Sequence, residues 1–435
     1  MMDKNAENIC RQFTNRYGYH ADFSLSKELA ESFLNELNYT IRTDKNHDFA
    51  MLPLVFYSGR PDVRGKSVIV MDIGGTNTRI TLVGFDENGV PKLLDFKKEP
   101  TPGNEKVIEI DEFYLEIIRI AEPFLKKADH IGVSFSYATD ALPNGDAKVA
   151  AGGKQILVKD FIGSVIGEGL RKAMRSIGID TDYKIRIIND AAAVFFGGMA
   201  KDPAEKYGNY IGLVLGTGFN MAYLEPAEHF TVVNQECGGF RRMPLNDADR
   251  EYIALTYDKE IDWCEKVVSG RYFGGTVLFA LRQAAKDGLF EGAFAEELMK
   301  HEALETKEMS LFMASKGREG EPARWLSKIE PEKRDLYTEM ALFIAEGVMD
   351  RAAFFVSVAL FATLIRGRSQ EGKSTCIMVE GSLYEKLPGF AERIRAHLAR
   401  LKKENPALIT HDISCEFTTG ENTTVFGTAL AGLWE

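Results

Sequence analysis

Cysteine is scarce and unpaired in this 435-residue sequence: Cys10, Cys237, Cys264, Cys376 and Cys415 lie far apart, with no CxxC spacing. That pattern excludes a disulfide framework and a cysteine-ligated zinc site, and it fits free thiols in a reducing compartment. Histidine is as sparse, seven residues without an HExxH or His-x-His pair, so no histidine metal centre is legible. Positive charge is in deficit, 53 Lys plus Arg against 64 Asp plus Glu, for a net charge of −11 without a long basic block. Nucleic acid and anionic membrane are therefore not expected partners. The N-terminal stretch MMDKNAENICRQF lacks the basic-then-apolar pattern of a secretory leader, and the expected location is cytoplasmic. The longest apolar run, Ala352 to Ile365 between Arg351 and Arg366, falls short of the roughly 18 to 20 residues that span a bilayer and reads as a buried core helix.

What remains is a folded globular composition, 45% hydrophobic and 27% charged with 39 glycines, at a length that suggests two or three domains. Residues 1 to about 50 read as helical, with Leu29, Phe33 and Leu37 on one face after a Ser cap. MLPLVF and SGRPDVRG read as a loop leading to the strands SVIVMDI, TRITLVGFD and KLLDFKKEP. A helix (IDEFYLEIIRIAEPFLKKA), a strand (HIGVSFSY), a Gly-rich loop (PNGDAKVAAGGK), a second helix and the strand-to-helix stretch YKIRIINDAAAVFFGG complete a unit. From Tyr210 a second unit begins on YIGLVLGTGFNMAYLE, a weak echo of VMDIGGTNTRITLV. Two similar hairpins suggest two similar halves able to hinge.

The hairpin DIGGTNTR carries more than a turn needs. A glycine pair alone is explained by a hairpin that wants positive φ. Around Gly74 and Gly75, however, stand Asp72, Thr76, Asn77 and Arg79, which add a carboxylate, a hydroxyl, an amide and a planar cation to a backbone without Cβ atoms. These are phosphate-binding chemistries, although the spacing is neither a Walker loop nor GxGxxG. The second hairpin supplies Gly216, Thr217 and Asn220, so a nucleotide clamped between two hairpins uses both. Transfer of its phosphate to a hydroxyl requires a carboxylate base, and Asn189 and Asp190 stand where a buried strand meets a helix start. Helix N-capping is the plainer explanation of that pair. Glu236 and Glu265 are further carboxylates, each of which alone could be a solvated surface group. A polyol acceptor, recognised by buried carboxylates and amides, accounts for the whole set.

The ordered segments DIGGTNTR, VSFSY, IINDAAA, IGLVLGTGFN, NQECGGF, EKVVSGRYFGG and VEGSLYEKLPGF resemble the hexokinases, ATP-dependent sugar kinases of the actin-like ATPase (ribonuclease H-like) fold, over nearly the whole chain. The resemblance implies an α/β protein of two domains with mixed five-stranded sheets and an interdomain cleft, residues 66–189 plus 422–435 forming the small domain and 1–65 plus 190–421 the large one. It implies that Asp190 is the catalytic base. Ser136, Lys154, Asn189, Asn220, Glu236 and Glu265 would bind the sugar. Asp72, Gly74, Gly75, Thr76, Asn77, Arg79, Gly216, Thr217, Gly381 and Ser382 would hold the nucleotide, with Mg²⁺ brought by ATP and reached by Asp72 through water. Two departures stand out: Ala138 replaces a proline of the family, and GGKQI keeps Lys154 but puts Gly153 in place of the threonine of the loop that closes over the sugar. The implied partners are ATP and a hexose, glucose, mannose or fructose, processed by one catalytic unit. A hexose-binding sensor and a kinase for an N-acetylhexosamine are the alternatives, and oligomeric state stays open.

Overall fold

The computed structural model describes residues 2, 4–38, 48, 50–150, 156–179, 182–257 and 259–434. Its strands are β1 (Leu52–Phe56), β2 (Ser67–Ile73), β3 (Asn77–Phe85), β4 (Pro91–Pro100), β5 (His130–Phe135), β6 (Thr139–Ala141), β7 (Ala147–Val149), β8 (Lys184–Asn189), β9 (Asn209–Leu215), β10 (Phe219–Glu225), β11 (Phe230–Asn234), β12 (Thr375–Glu380) and β13 (Cys415–Thr419). They form a five-stranded sheet in the order β4-β3-β2-β5-β8, a six-stranded sheet in the order β1-β11-β10-β9-β12-β13, and the small ribbon β6-β7.

The echo between the two halves is a repeat of topology. In each sheet two antiparallel pairings (β4-β3-β2, then β11-β10-β9) are followed by two parallel ones (β2-β5-β8, then β9-β12-β13). The expectation of two five-stranded sheets needs one correction. MLPLVF is not a loop but contains β1, which adds a sixth strand antiparallel to β11. Pro53 obscures it, because a residue without N–H weakens a strand reading; the structure tolerates it because β1 is an edge that pairs on one side only. The Gly-rich loop likewise contains β7, which pairs with β6 just before it, and these three-residue strands are too short to show an alternation.

Each repeat ends in a helix that crosses to the other half. Asp190–Ala200, which leaves β8 of the five-stranded sheet, packs on β9, β10 and β12; Thr423–Gly432, which leaves β13 of the six-stranded sheet, packs on β2, β5 and β8. The two helices also pack on each other, and the crossing is close enough to demand glycine. A Cβ on Gly427 would lie 1.8 Å from the carbonyl oxygen of Ala193 and 2.4 Å from the amide nitrogen of Gly197. Separate apolar cores lie under the two sheets, and a third surrounds this helix pair, with the rings of Phe56, Phe196, Phe230 and Trp434 in contact, Phe230 stacked on Trp434 and Phe196 edge-on to Phe56 and Trp434.

The apolar run Ala352–Ile365 forms the second half of one helix, Pro331–Arg366, whose apolar window is 89% buried. That helix is long and apolar enough to cross a membrane by length and composition, yet it is the central strut of the large core. Arg351 at its middle is buried and forms a two-pronged ion pair with Asp249, both contacts 2.7 Å. Asp249 also closes the capping box of helix Asp247–Leu255 with Asn246, so one carboxylate fixes two helices. Near the N-terminus, Leu29, Phe33 and Leu37 are buried along helix Ser26–Asn38, as their spacing predicts.

Candidate active site

Three adjacent parallel strands end at one edge of the five-stranded sheet, where Ile73, Phe135 and Asn189 are in register. The next residues, Gly74, Ser136 and Asp190, therefore leave the sheet side by side, the usual place for chemistry in an α/β sheet. Ser136 is exposed there, its amide donating to the Ile73 carbonyl at 3.3 Å. Asp72 faces Arg79 across the β2-β3 pair, carboxylate to guanidinium 3.7 Å.

The turn Gly74–Thr76 is braced from behind. Thr101 Oγ1 donates to the Gly74 carbonyl at 2.7 Å, and the Thr76 carbonyl accepts from the Thr101 amide at 3.1 Å and from Asn104 Nδ2 at 3.3 Å. Neither Gly74 nor Gly75 has positive φ, so hairpin geometry does not account for the pair. Asn189 is the N-cap of helix Asp190–Ala200, accepting from the Ala191 amide at 2.7 Å, so capping and a place in the site coexist in one residue. Asp190 Oδ1 accepts from the same amide at 2.7 Å.

The six-stranded sheet contributes the facing wall. The Gly216–Gly218 turn is held by Gly270, whose amide donates to the Gly216 carbonyl at 2.7 Å, and by the Arg271 amide, which donates to the Thr217 carbonyl at 3.1 Å. Gly381 has φ 147°, and a Cβ there would lie 2.3 Å from the Leu215 carbonyl oxygen, so only glycine lets the Gly381–Ser382 segment lie against the turn. Gly218 serves a different neighbour: its missing Cβ would be 2.8 Å from Glu265 Oε2, the oxygen that accepts from the Phe219 amide at 3.1 Å. Asn220 donates to Asn234 Oδ1 at 2.8 Å, and Asn234 donates to Glu236 Oε1 at 2.7 Å. Glu236 itself is in the left-handed region at φ 54° and ψ 39°, a strained conformation held by its surroundings.

Electrostatics tie these walls together. Burial, above all, pushes Asp190 up to about 6, with the Glu380 charge adding to the rise and the Ala191 amide opposing it. Asp72 is also raised to about 6, by burial against the pull of Arg79, with Glu380 and Asp190 repelling it further. Glu236 and Glu265 are each raised to about 7, by burial first; Asp190 and Asp262 repel both. The two glutamates thus belong to the same half-buried acidic cluster as Asp190, which removes the reading of either as a solvated surface group. Cys237 beside Glu236 is fully buried with its thiol pushed well up, an inert apolar filler.

A cavity of about 490 Å³ borders the Gly216–Gly218 turn, with Gly216, Thr217 and Ser382 among its lining residues. Ser136, Asn189, Asp190 and the Asp72 hairpin stand on one wall; Asn220, Glu236, Glu265 and the cavity stand on the other. Lys154 lies outside the described residues. Sequence reasoning missed Asn234, which links Asn220 to Glu236, and Glu380, which accepts from Thr424 at 2.8 and 2.9 Å and presses on both aspartates. Both lie inside segments already singled out, Asn234 as the first residue of NQECGGF and Glu380 as the second of VEGSLYEKLPGF, and each is the last residue of its strand. Among the described residues no three His, Cys, Asp or Glu side chains converge as a ready-made metal cage.

Comparison with known proteins follows the same outline. Hexokinase family models match residues 11–199 and 210–434. Human Hexokinase-2 is 25% identical over 425 residues, covering 90% of this chain and 45% of that protein; rat Hexokinase-1 is 26% identical over 412 residues, covering 87% and 44%. The chain thus spans about half the length of these curated relatives. A hexokinase from Schistosoma mansoni complexed with glucose superposes with a TM-score of 0.73 at 17% identity, covering 98% of this chain and 99% of that one. With both halves of the repeat matched, and with the two-sheet architecture shared, this chain belongs to the hexokinase family.

Proposed function

We propose that the protein transfers the γ-phosphoryl group of ATP to the 6-hydroxyl of a hexose, glucose foremost and mannose or fructose alongside it. The observation that carries this reading is the half-buried carboxylate cluster of Asp190, Glu236 and Glu265 beside two glycine hairpins. A sugar hydroxyl both donates and accepts, so carboxylates and the amides of Asn189 and Asn220 suit its ring, with Ser136 at the opposite wall. Burial that raises Asp190 to about 6 makes it a stronger base while leaving it mostly ionised near neutral pH. It would take the proton of the primary hydroxyl as that oxygen attacks the γ-phosphorus. Glu236, held by Asn234, and Glu265, held by the Phe219 amide, would fix the ring hydroxyls and so aim the acceptor.

The hairpin amides of Gly75, Thr76 and Thr217, the Thr76 and Thr217 hydroxyls, Asn77 and Arg79 would hold the phosphates, the Gly74 and Gly216 amides being spent on the Asn77 and Gly218 carbonyls within each turn. The Gly381–Ser382 segment and the cavity behind it would take the nucleoside. Asp72, raised chiefly by burial and further by Glu380 and Asp190, fits a divalent cation nearby, since Mg²⁺ keeps most of its waters and binds through one or two carboxylates and phosphate oxygens. When bound, Mg²⁺ neutralises charge developing on the transferred group. The bodies 66–189 with 422–435 and 1–65 with 190–421 would close about the crossed helices, excluding water as a competing acceptor. The test is ADP release from Mg-ATP with glucose, mannose, fructose and N-acetylglucosamine in turn, against a no-sugar blank. Sugar-dependent release supports the reading and ranks the hexoses; release at the blank rate with every sugar removes it.

A further inference from the structure

One thiol is set apart from the other four. Burial pushes the Cys10 and Cys376 thiols up to about 11 and holds those of Cys237 and Cys264 well above the usual range, so all four stay protonated and unreactive. Cys415 alone of the five is partly exposed, at the start of β13, the edge strand of the six-stranded sheet. Its sulfur meets an amine. Lys402, in the last turn of helix Phe390–Glu404, donates through Nζ to Cys415 Sγ at 3.1 Å and to the Ile413 carbonyl at 2.7 Å. The Ile413 carbonyl thus aims the amine at the sulfur, and among the described residues no carboxylate pairs with Lys402.

Oxidation of a thiol follows its thiolate character and exposure, and the first product, a sulfenic acid, condenses with a neighbouring thiol or nitrogen. The adjacent strand offers no thiol for that part. Cys415 is in register with Thr375 of β12, so Cys376, one position on, points to the opposite face of the sheet and into the core around the crossed helices. The nucleophile in contact with the Cys415 sulfur is the Lys402 amine. We propose that Lys402 and Cys415 form a reversible, peroxide-dependent cross-link. Hydrogen peroxide transfers one oxygen to the sulfur, giving the sulfenic acid and one water. The neutral amine of Lys402, its extra proton lost to solvent, then attacks that sulfur: an S–N bond forms, the S–O bond breaks, and the hydroxyl leaves with an amine proton as a second water. Sulfur is oxidised by two electrons and peroxide is reduced by two; a dithiol returns the two electrons and restores thiol and amine. The bond ties helix Phe390–Glu404 to β13 and closes the short segment between them, so the linked protein should melt higher.

The test takes the whole chain, reduces it, treats it with hydrogen peroxide and reads intact mass, a peptide map and a thermal melt. The expected product is about 2 Da lighter than the reduced chain, joins the peptides that hold Lys402 and Cys415, melts higher, and returns to the original mass and melting temperature with dithiothreitol. Lys402→Arg keeps a cation to donate to the Ile413 carbonyl but stays charged and cannot attack, so it should form no link. It should instead leave a sulfenic acid at Cys415 that dimedone labels at least about tenfold more than in the parent, with its melting temperature when reduced as the fold control. Cys415→Ser should show neither link nor label. Equal dimedone labelling of the parent and Lys402→Arg overturns the proposal, as does a Cys415 that stays reduced or passes straight to the sulfinic acid. A link about 14 Da heavier than the reduced chain, with an oxygen between nitrogen and sulfur, overturns the condensation step.

Discussion

Replacing Asp190 by Asn should do two opposite things at once, and both follow from its surroundings. The rise of its pKa from 3.8 to about 6 is equivalent to about 3 kcal/mol favouring the neutral form, with burial as the main cause and Glu380 repulsion adding to it. An amide carries no charge to desolvate and keeps an oxygen for the Ala191 amide, so the variant should recover up to that amount at pH 8. Spread over about 2 cal/mol/K of unfolding entropy per residue, this is a rise in Tm of at most about 3 °C if the chain melts as one unit. The same change removes the proton acceptor, and transfer to the sugar should slow by at least about 10²-fold. Sugar-dependent ADP release and a thermal melt at pH 8 read the two effects on one preparation. A variant within tenfold of the parent rate, or one that melts lower, would refute the placing of Asp190 as a half-buried base whose charge costs stability.

Other outcomes test other parts of the structure. The rate at limiting hexose should fall on an acidic limb between about pH 7 and 6, where Glu236, Glu265 and Asp190 take up protons; a flat profile from pH 8 to 5 would contradict the raised values. For stability the sign is the reverse. These folded-state values lie above the unfolded ones, so their contribution is full below about pH 4 and lost as pH rises through 6 to 7, and the ligand-free protein should melt higher at pH 5.5 than at pH 8. Glu236→Gln should raise the KM for hexose by roughly 10- to 100-fold with a smaller change in kcat, since it weakens acceptance from a sugar hydroxyl while Asn234 keeps the side chain in place. Arg351→Leu should cost about 3–5 kcal/mol in denaturant unfolding, because it strands the buried Asp249 carboxylate; a loss under about 1 kcal/mol would deny the pair its role. Gly427→Ala should destabilise by about 1–3 kcal/mol or more through the clash with Ala193, seen as a lower urea midpoint.

The sequence disclosed what is local. The strand SVIVMDI coincides with β2, the run IINDAAA turns from β8 into a helix at Asp190, and the spacing of Leu29, Phe33 and Leu37 marks a buried helix face. It hid what depends on distant partners. Pro53 makes β1 look like a loop because only its pairing with β11 makes it a strand. Glu380 and Asn234 stand within the quoted segments without a legible role, and their importance arises when β12 and β11 deliver them beside residues about 190 and 14 positions away. The glycines of both hairpins stand out in the sequence, but the reason for them does not. Positive φ explains neither Gly74 nor Gly218; the latter is small because Glu265 occupies the space of its side chain. Asn189 shows the limit of choosing between a capping role and a functional one, since it caps the helix and lines the site with the same side chain.

The central claim, that this cleft joins a hexose to the terminal phosphate of ATP, is tested most directly by identifying the product. Glucose and Mg-ATP would be incubated with the protein and the mixture followed by ³¹P and ¹³C NMR, with 6-deoxyglucose in a parallel sample. The account predicts glucose 6-phosphate formed mole for mole with ADP, and no ester from 6-deoxyglucose. ADP accompanied by inorganic phosphate alone, or an ester at another carbon, would contradict it.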